Sequence, residues 1–232
     1  MSVPNSKVRQ TPKSSAISSL FADAPLSTRC FLWLRSILTP YQRMASALPA
    51  RGRMLDLGSG HGLLAFALCL GSDQREIIGV DHDLERVRLA ETAALRLPIT
   101  RKPRFEAGDL REKLGSFASG SLAGVTMIDI LHYFDPASQQ FLINDAARVL
   151  APGGILVVRE IDSNAGSKAA ANRLYEHLAT GVGFTRSAGR TLSFRGAHEW
   201  IRLIESVGLT VRSEPCSTPF FADVLFVAQQ KL

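Results

Sequence analysis

The chain has 232 residues, 46% of them hydrophobic, a formal charge of +6 and a pI near 9.6. That length and apolar content suit one large α/β domain with a small elaboration, and no apolar run approaches the ~20 residues that cross a bilayer. Cys30, Cys69 and Cys216 are odd in number and far apart, which argues against a disulfide framework or a metal site and for a reducing, cytoplasmic setting.

Residues 1–19 are rich in Ser, Pro and Thr, carry Lys7, Arg9 and Lys13 and hold no acid, the composition of a flexible tail. From Ile17 to Leu48 the pattern becomes helical: Phe31, Leu32, Leu34, Ile37 and Leu38 supply apolar faces, and Pro40 interrupts them. Arg29, Arg35, Tyr41 and Arg43 lie among these residues.

Met54, Leu55 and Leu57 read as a short buried strand, Gly58, Gly60 and Gly62 as a turn almost without side chains, and Leu63 to Leu70 as a buried helix. Strand, glycine turn and helix in that order aim free backbone N–H groups and a helix N-terminus at a ligand. A dinucleotide fingerprint needs its third glycine at position 63, which is Leu63. The pattern is instead Asp56-x-Gly58-x-Gly60-x-Gly62, and with it the chain resembles the class I S-adenosylmethionine-dependent methyltransferases. The resemblance covers about Met54 to Val158. It implies a Rossmann-like, doubly wound α/β sheet of seven strands in the order 3-2-1-4-5-7-6 with strand 7 antiparallel, and S-adenosyl-L-methionine as cofactor. Many small-molecule members carry an N-terminal helical segment, so residues 20–48 read as a lid over the cofactor or as helices packed on the domain edge. The methyltransferase domain is expected over 20–232.

Glu76 to Asp81 forms a second strand, and Asp81 stands where a carboxylate accepts both ribose hydroxyls. In the resembled family the residue after this acid packs on adenine, so the resemblance implies that role for His82. A helix starts at Asp83 and ends before Pro98. Phe105 to Leu110 reads as a third strand running into a turn; its Gly-Asp resembles the family's adenine motif, which implies Asp109 at the adenine amine and Leu110 over the ring. Ala123 to Phe134 is a fourth strand and its exit, with Ile128 and Asp129 beside the transferred methyl group. Asp135 and Pro136 fit N-cap and N1 of the next helix. Ala151-Pro-Gly-Gly154 turns into a fifth strand, Ile155 to Val158. Residues 161–196 lose this regularity and read as an inserted cap, in which Tyr175, His177 and Phe184 could meet an acceptor. A helix from Ala197 to Val207 stops at Gly208, and Thr210 to Cys216 pairs with Asp223 to Ala228. Asp56, Gly58, Ser59, Gly60, Asp81, His82, Asp109, Leu110, Ile128 and Asp129 are the expected cofactor residues.

Displacement at a sulfonium methyl needs alignment more than a fixed set of catalytic groups, and a base only where the nucleophile must lose a proton. His132, just past the fourth strand, is the leading candidate for that base, ahead of His177 and His198. The Asn/Asp-Pro-Pro-Tyr segment that marks methylation of planar nitrogens is replaced here by Asp129-Ile-Leu-His132. The leading expectation is transfer to a small apolar or aromatic acceptor, to oxygen first. A secondary resemblance, to bacterial polyketide and aryl-polyene pigment pathway methyltransferases, rests on the Arg/Trp-containing helix ahead of the glycine turn. An RNA or protein methyltransferase, suggested by the basic pI, and a non-catalytic cofactor-binding protein are the competing readings. No membrane span is expected, and the chain reads as a monomer or homodimer.

Overall fold

The computed structural model describes residues 14–99, 102–165, 192–216 and 222–230. Its centre is one seven-stranded sheet in the order β3-β2-β1-β4-β5-β7-β6. The strands are β1 (Gly52–Leu57), β2 (Arg75–Asp81), β3 (Arg104–Ala107), β4 (Leu122–Ile128), β5 (Leu150–Ile161), β6 (Thr210–Pro215) and β7 (Asp223–Gln229). β1 to β5 run parallel, while β7 runs antiparallel to both β5 and β6. The order and the antiparallel β7 are those implied by the methyltransferase resemblance.

The helices are α1 (Ser14–Ser18), α2 (Leu26–Leu38), α3 (Tyr41–Ala47), α4 (Leu63–Gly71), α5 (Leu84–Ala94), α6 (Leu110–Gly115), α7 (Pro136–Val149) and α8 (Ala197–Glu205). One face of the sheet is covered by α1 to α5, whose Ile17, Leu32, Met44, Phe66 and Val87 share a buried layer with Met54 and Ile77. The other face carries α6 to α8, with Leu114, Leu142, Ile143 and Trp200 packed on Leu57, Val80 and Phe226. Central strands buried on both faces need continuous apolar runs, which explains why β1, β2 and β4 do not alternate.

Four local features differ from the sequence reading. The body begins inside the expected tail, because Ser14–Ser18 is helical and buries Ile17. The expected turn at Ala151–Gly154 lies within β5, where Leu122 faces Leu150 but Gly124 already faces Ile155. That register shift absorbs the extra residues, with Gly153 at φ 75°. β3 ends at Ala107, and the Gly108-Asp109 pair opens α6, an unexpected helix. α8 ends at Glu205, with Gly208 at φ 84° three residues later. Asp135 caps α7 as expected, accepting from Ser138 N–H at 2.9 Å.

Arg75 joins the N-terminal helices to the sheet. Its guanidinium donates to the carbonyls of Ala45, Leu48 and Pro49 at the end of α3, and to that of Leu68 in the last turn of α4. One cation thus serves the exposed carbonyls of two helix C-termini.

Candidate functional site

The carboxyl ends of β1 and β2 form a rim made mainly of backbone. Gly58, Gly60 and Gly62 have φ of 72°, 53° and 78°, the left-handed region that glycine enters without strain. Two of them also answer to packing: a Cβ on Gly58 would lie 2.3 Å from Ile130 Cγ2, and one on Gly62 2.4 Å from Phe105 Cζ. Gly60 differs, since a Cβ there would meet nothing within 4 Å. The loop is tied to β2: the Gly58 and Ser59 amides donate to the Val80 carbonyl, and the Gly60 amide donates to Asp81 Oδ2 at 2.8 Å. Asp81 Oδ1 accepts from the Asp83 amide at 2.9 Å. Ser59 Oγ is buried and makes no hydrogen bond among the described residues.

Asp56 lies beneath this loop, 3% exposed, and accepts the Thr126 hydroxyl at 2.6 Å. Burial pushes its carboxyl up to about 7; the Thr126 and Ala65 hydrogen bonds oppose the shift and the Asp81 charge adds to it. His61, inside the glycine loop, is pushed down to about 4 by burial and by the Arg86 and Arg35 charges, against Asp83. It is therefore neutral at pH 7, and its ring meets Phe31 of α2 at 5.9 Å. His82 is half exposed, with Nδ1 3.4 Å from Asp81 Oδ1. The Gly108 amide donates to the Asp81 carbonyl, bringing Asp109 and the buried Leu110 to the same rim. Asp109 is the N-cap of α6. Burial opposes its charge, but the Arg111 and Glu112 amides outweigh it and hold the carboxyl below the usual range.

The carboxyl ends of β4 and β5 form a second rim, made of charged side chains. Asp129, directly after β4, is the one described non-glycine residue with positive φ, at 56°. Arg159 Nη1 donates to both its oxygens at 2.6 Å, and Arg35 of α2 reaches Oδ2 at 3.0 Å. Arg159 Nη2 in turn bonds Asp223. Burial opposes the Arg159 charge, but Asp129 and Asp223 more than compensate and raise its pKa. The next residue, Glu160, is buried and accepts three hydrogen bonds. The Ile130 and Leu131 amides donate to Oε1 at 3.1 and 2.6 Å, and His132 Nδ1 lies 2.7 Å from Oε2. A carboxylate at Nδ1 selects the Nδ1–H tautomer, placing the basic lone pair on Nε2. The His132 ring stacks on Phe194 with centroids 5.4 Å apart and interplanar angle 15°.

The structure thus gathers Asp56, Gly58, Ser59, Gly60, Asp81, His82, Asp109 and Leu110 on one rim and Ile128, Asp129 and His132 on the next. Ile130, against Gly58, joins the two. His198 is exposed in the first turn of α8. Tyr175, His177 and Phe184 lie outside the described residues. The sequence reading did not single out Thr126, Asp223, Arg159 or Glu160; the signal for the last two is a charged pair inside the apolar run Ile155–Ile161. Among the described residues no group of three or more His, Cys, Asp or Glu could hold a metal ion. A cleft of about 1060 Å³, lined by Arg75, Ile77, Leu95, Ile99 and Phe105 among others, contains none of the candidate site residues.

A family model described as "Methyltransferase domain" matches residues 33–214. No curated protein matches the chain. An S-adenosylmethionine-dependent methyltransferase of Methanosarcina mazei superposes with a TM-score of 0.62 at 24% identity, over 84% of this chain and 100% of that one. A structure of Haloferax volcanii, a complex between the Trm112 methyltransferase activator and a methyltransferase, gives 0.69 at 17% identity over 93% and 98%. An O-methyltransferase family protein of Burkholderia thailandensis gives 0.64 at 20% identity over 92% and 62%.

Proposed function

The chain belongs to the methyltransferase-domain family, and we propose that it takes S-adenosylmethionine as cofactor and methylates an oxygen of a small apolar or aromatic acceptor, with His132 as the base that takes the acceptor proton. The observation that carries this reading is the His132–Glu160 pair at the end of β4 and β5. In an open α/β sheet, ligands bind outside the carboxyl ends of the strands.

The β1–β2 rim fits the cofactor on three counts. Gly60 leaves open space at a left-handed position, Ser59 Oγ is buried without a hydrogen bond among the described residues, and so is Asp56 Oδ2. In this reading Asp81 binds the ribose hydroxyls, Asp109, Leu110 and His82 surround the adenine, and Asp56 faces the ammonium group. Gly58, Ile128 and Asp129 complete the wall. When bound, S-adenosylmethionine supplies an electrophilic methyl on sulfur and a neutral leaving group.

Glu160 holds His132 in one tautomer and one orientation. A hydroxyl reaching Nε2 would pass its proton there as the oxygen becomes nucleophilic, and the carboxylate would stabilise the resulting imidazolium. Both groups are buried, so water competes poorly for the proton. The Burkholderia neighbour's description as an O-methyltransferase family protein agrees with oxygen as the nucleophile.

The test is turnover of a panel of phenols and hydroxylated quinones, read by mass spectrometry of the methylated product. With an acceptor in hand, His132→Ala should lower kcat by ~10²–10⁴-fold. Affinity for S-adenosylmethionine should stay the same, and the loss should shrink at high pH, where the hydroxyl ionises unaided. A normal kcat at every pH would confine His132 to packing.

A further inference from the structure

The outer face of α2 is apolar and exposed. Leu26, Trp33, Leu34 and Ile37 are 71%, 58%, 45% and 57% exposed, and Cys30 between them is also exposed. At 3.6 residues per turn these five positions fall within roughly 100° of the helix circumference. Four of the eight exposed large hydrophobic residues among those described are on this one helix. Its inner face is accounted for by buried Leu32, by Phe31 on His61 and by Arg35 on Asp129.

Charge is concentrated in the same part of the chain. Residues 1–48 contain six Lys or Arg (Lys7, Arg9, Lys13, Arg29, Arg35 and Arg43) and one acid, Asp23. The remaining 184 residues hold 21 Lys or Arg against 20 Asp or Glu. That segment therefore carries +5 of the net +6 formal charge, with Arg35 paired to Asp129, Arg43 to Glu214 and Asp23 to Arg96. Arg29, exposed, flanks the stripe itself.

We propose that α2 is a docking surface for an anionic lipid bilayer, lying in the plane of the interface with Leu26, Trp33, Leu34 and Ile37 in the acyl boundary and Arg29 at the headgroups. An apolar stripe containing Trp, flanked by Arg29 on a helix without acids, is the composition of an interfacial helix. Charge selects this occupant over the alternatives. A second copy docking through α2 would set the Arg29 side chains of two formally basic segments against each other. A nucleic acid would meet Leu26, Leu34 and Ile37, which offer neither a stacking plane nor a phosphate donor. Docking in this way needs no membrane-spanning helix, and none of the described helices is long and apolar enough to be one. It would place the rim at Asp129 about 10 Å, one helix diameter, from the lipid.

The test is co-sedimentation of the full chain with vesicles of phosphatidylcholine alone and of phosphatidylcholine mixed with phosphatidylglycerol. Binding is expected on the anionic vesicles, weak on the neutral ones, and lost at high salt. The chain has two tryptophans, and Trp200 is buried, so a blue shift of emission on binding reports Trp33. Ile37→Asp should weaken binding by about tenfold or more and Arg29→Glu by about fivefold or more, with unchanged melting temperatures. Should Ile37→Asp fail to fold, Leu26→Asp replaces it. Three results would overturn the proposal: no binding to anionic vesicles at low salt; binding that Ile37→Asp leaves intact, which reduces it to diffuse charge; or a dimer in light scattering that Ile37→Asp splits while vesicles capture neither form.

Discussion

The two rims at the carboxyl edge of the sheet are built from different materials. At β1 and β2 the wall is backbone: three left-handed glycines and a loop hung from Val80, with Asp81 receiving the Gly60 and Asp83 amides. At β4 and β5 it is a chain of salt-bridged side chains, Arg35–Asp129–Arg159–Asp223, beside the His132–Glu160 pair. A backbone wall is indifferent to most side-chain changes and intolerant of a Cβ at fixed points. An ion-paired wall behaves the other way: each member can be reshaped only together with its partner, because a charge left alone in the interior is costly.

The sharpest break in the ion-paired wall is Arg159→Met. It takes Arg159 away from Asp223 and leaves Asp129 with Arg35, and it should lower stability by about 3–5 kcal/mol in denaturant unfolding. If the rims are independent, cofactor affinity of the folded fraction changes little; an equal loss of affinity would show that they act as one. On the backbone wall the matching break is Gly58→Ala, which combines a left-handed φ with a contact against Ile130 and should destabilise by about 2–4 kcal/mol. Gly60→Ala is its control. It has the same sign of φ and no neighbour within 4 Å, so thermal unfolding should register only about 1 kcal/mol. If the open space at Gly60 takes the cofactor, as proposed, S-adenosylmethionine affinity should fall by more than that.

Asp81→Ala removes the one charged side chain that the glycine loop uses. Calorimetry should show cofactor binding weaker by about 2–3 kcal/mol in a folded protein. Unchanged affinity would move the ribose away from Asp81. The smallest effect concerns Asp56. Its folded value near 7 lies above its ordinary 3.8, so the native state binds the extra proton and stability falls as pH rises from about 4 to 7. An ammonium group beside it favours the carboxylate. Binding should therefore release a proton below pH 7, and affinity should rise with pH and level off above about 7. Calorimetry in buffers of different ionisation enthalpy measures that proton; no release at pH 6 would place the ammonium elsewhere.

The same contrast explains what could be read from the sequence. The β1–β2 rim announces itself because its geometry demands particular residues close together: glycines at 58, 60 and 62, and Asp81 21 residues beyond Gly60. The strand alternation was legible for the same reason, and the resemblance supplied the strand order. The β4–β5 rim is assembled by contacts across 94 positions for Arg35–Asp129 and 64 for Arg159–Asp223, a separation that no local pattern encodes. His132 stood out as a type of residue, whereas Glu160 passed as part of an apolar strand. Helix α6 was missed because Gly108-Asp109 is as good a turn signal as an N-cap, and six residues are too few to display a helical period. Asp109 still reached the expected rim, because β3 delivers it there whatever follows.

Arg75 has a mechanical consequence. With four carbonyl partners spread over α3, its C-terminal flank and α4, it rivets α3 to the sheet, while α2 on the far side of Pro40 is fastened to the rims through Arg35 and Phe31. The N-terminal arm is therefore two parts of unequal stiffness joined at Thr39-Pro40. A displacement of α2 has to break the Arg35–Asp129 pair and the Phe31–His61 contact and to lift Leu32 out of the buried layer, whereas a displacement of α3 has to uncap two helices at once. Of those two parts, α2 is the one that touches both rims, through Asp129 on one and His61 on the other.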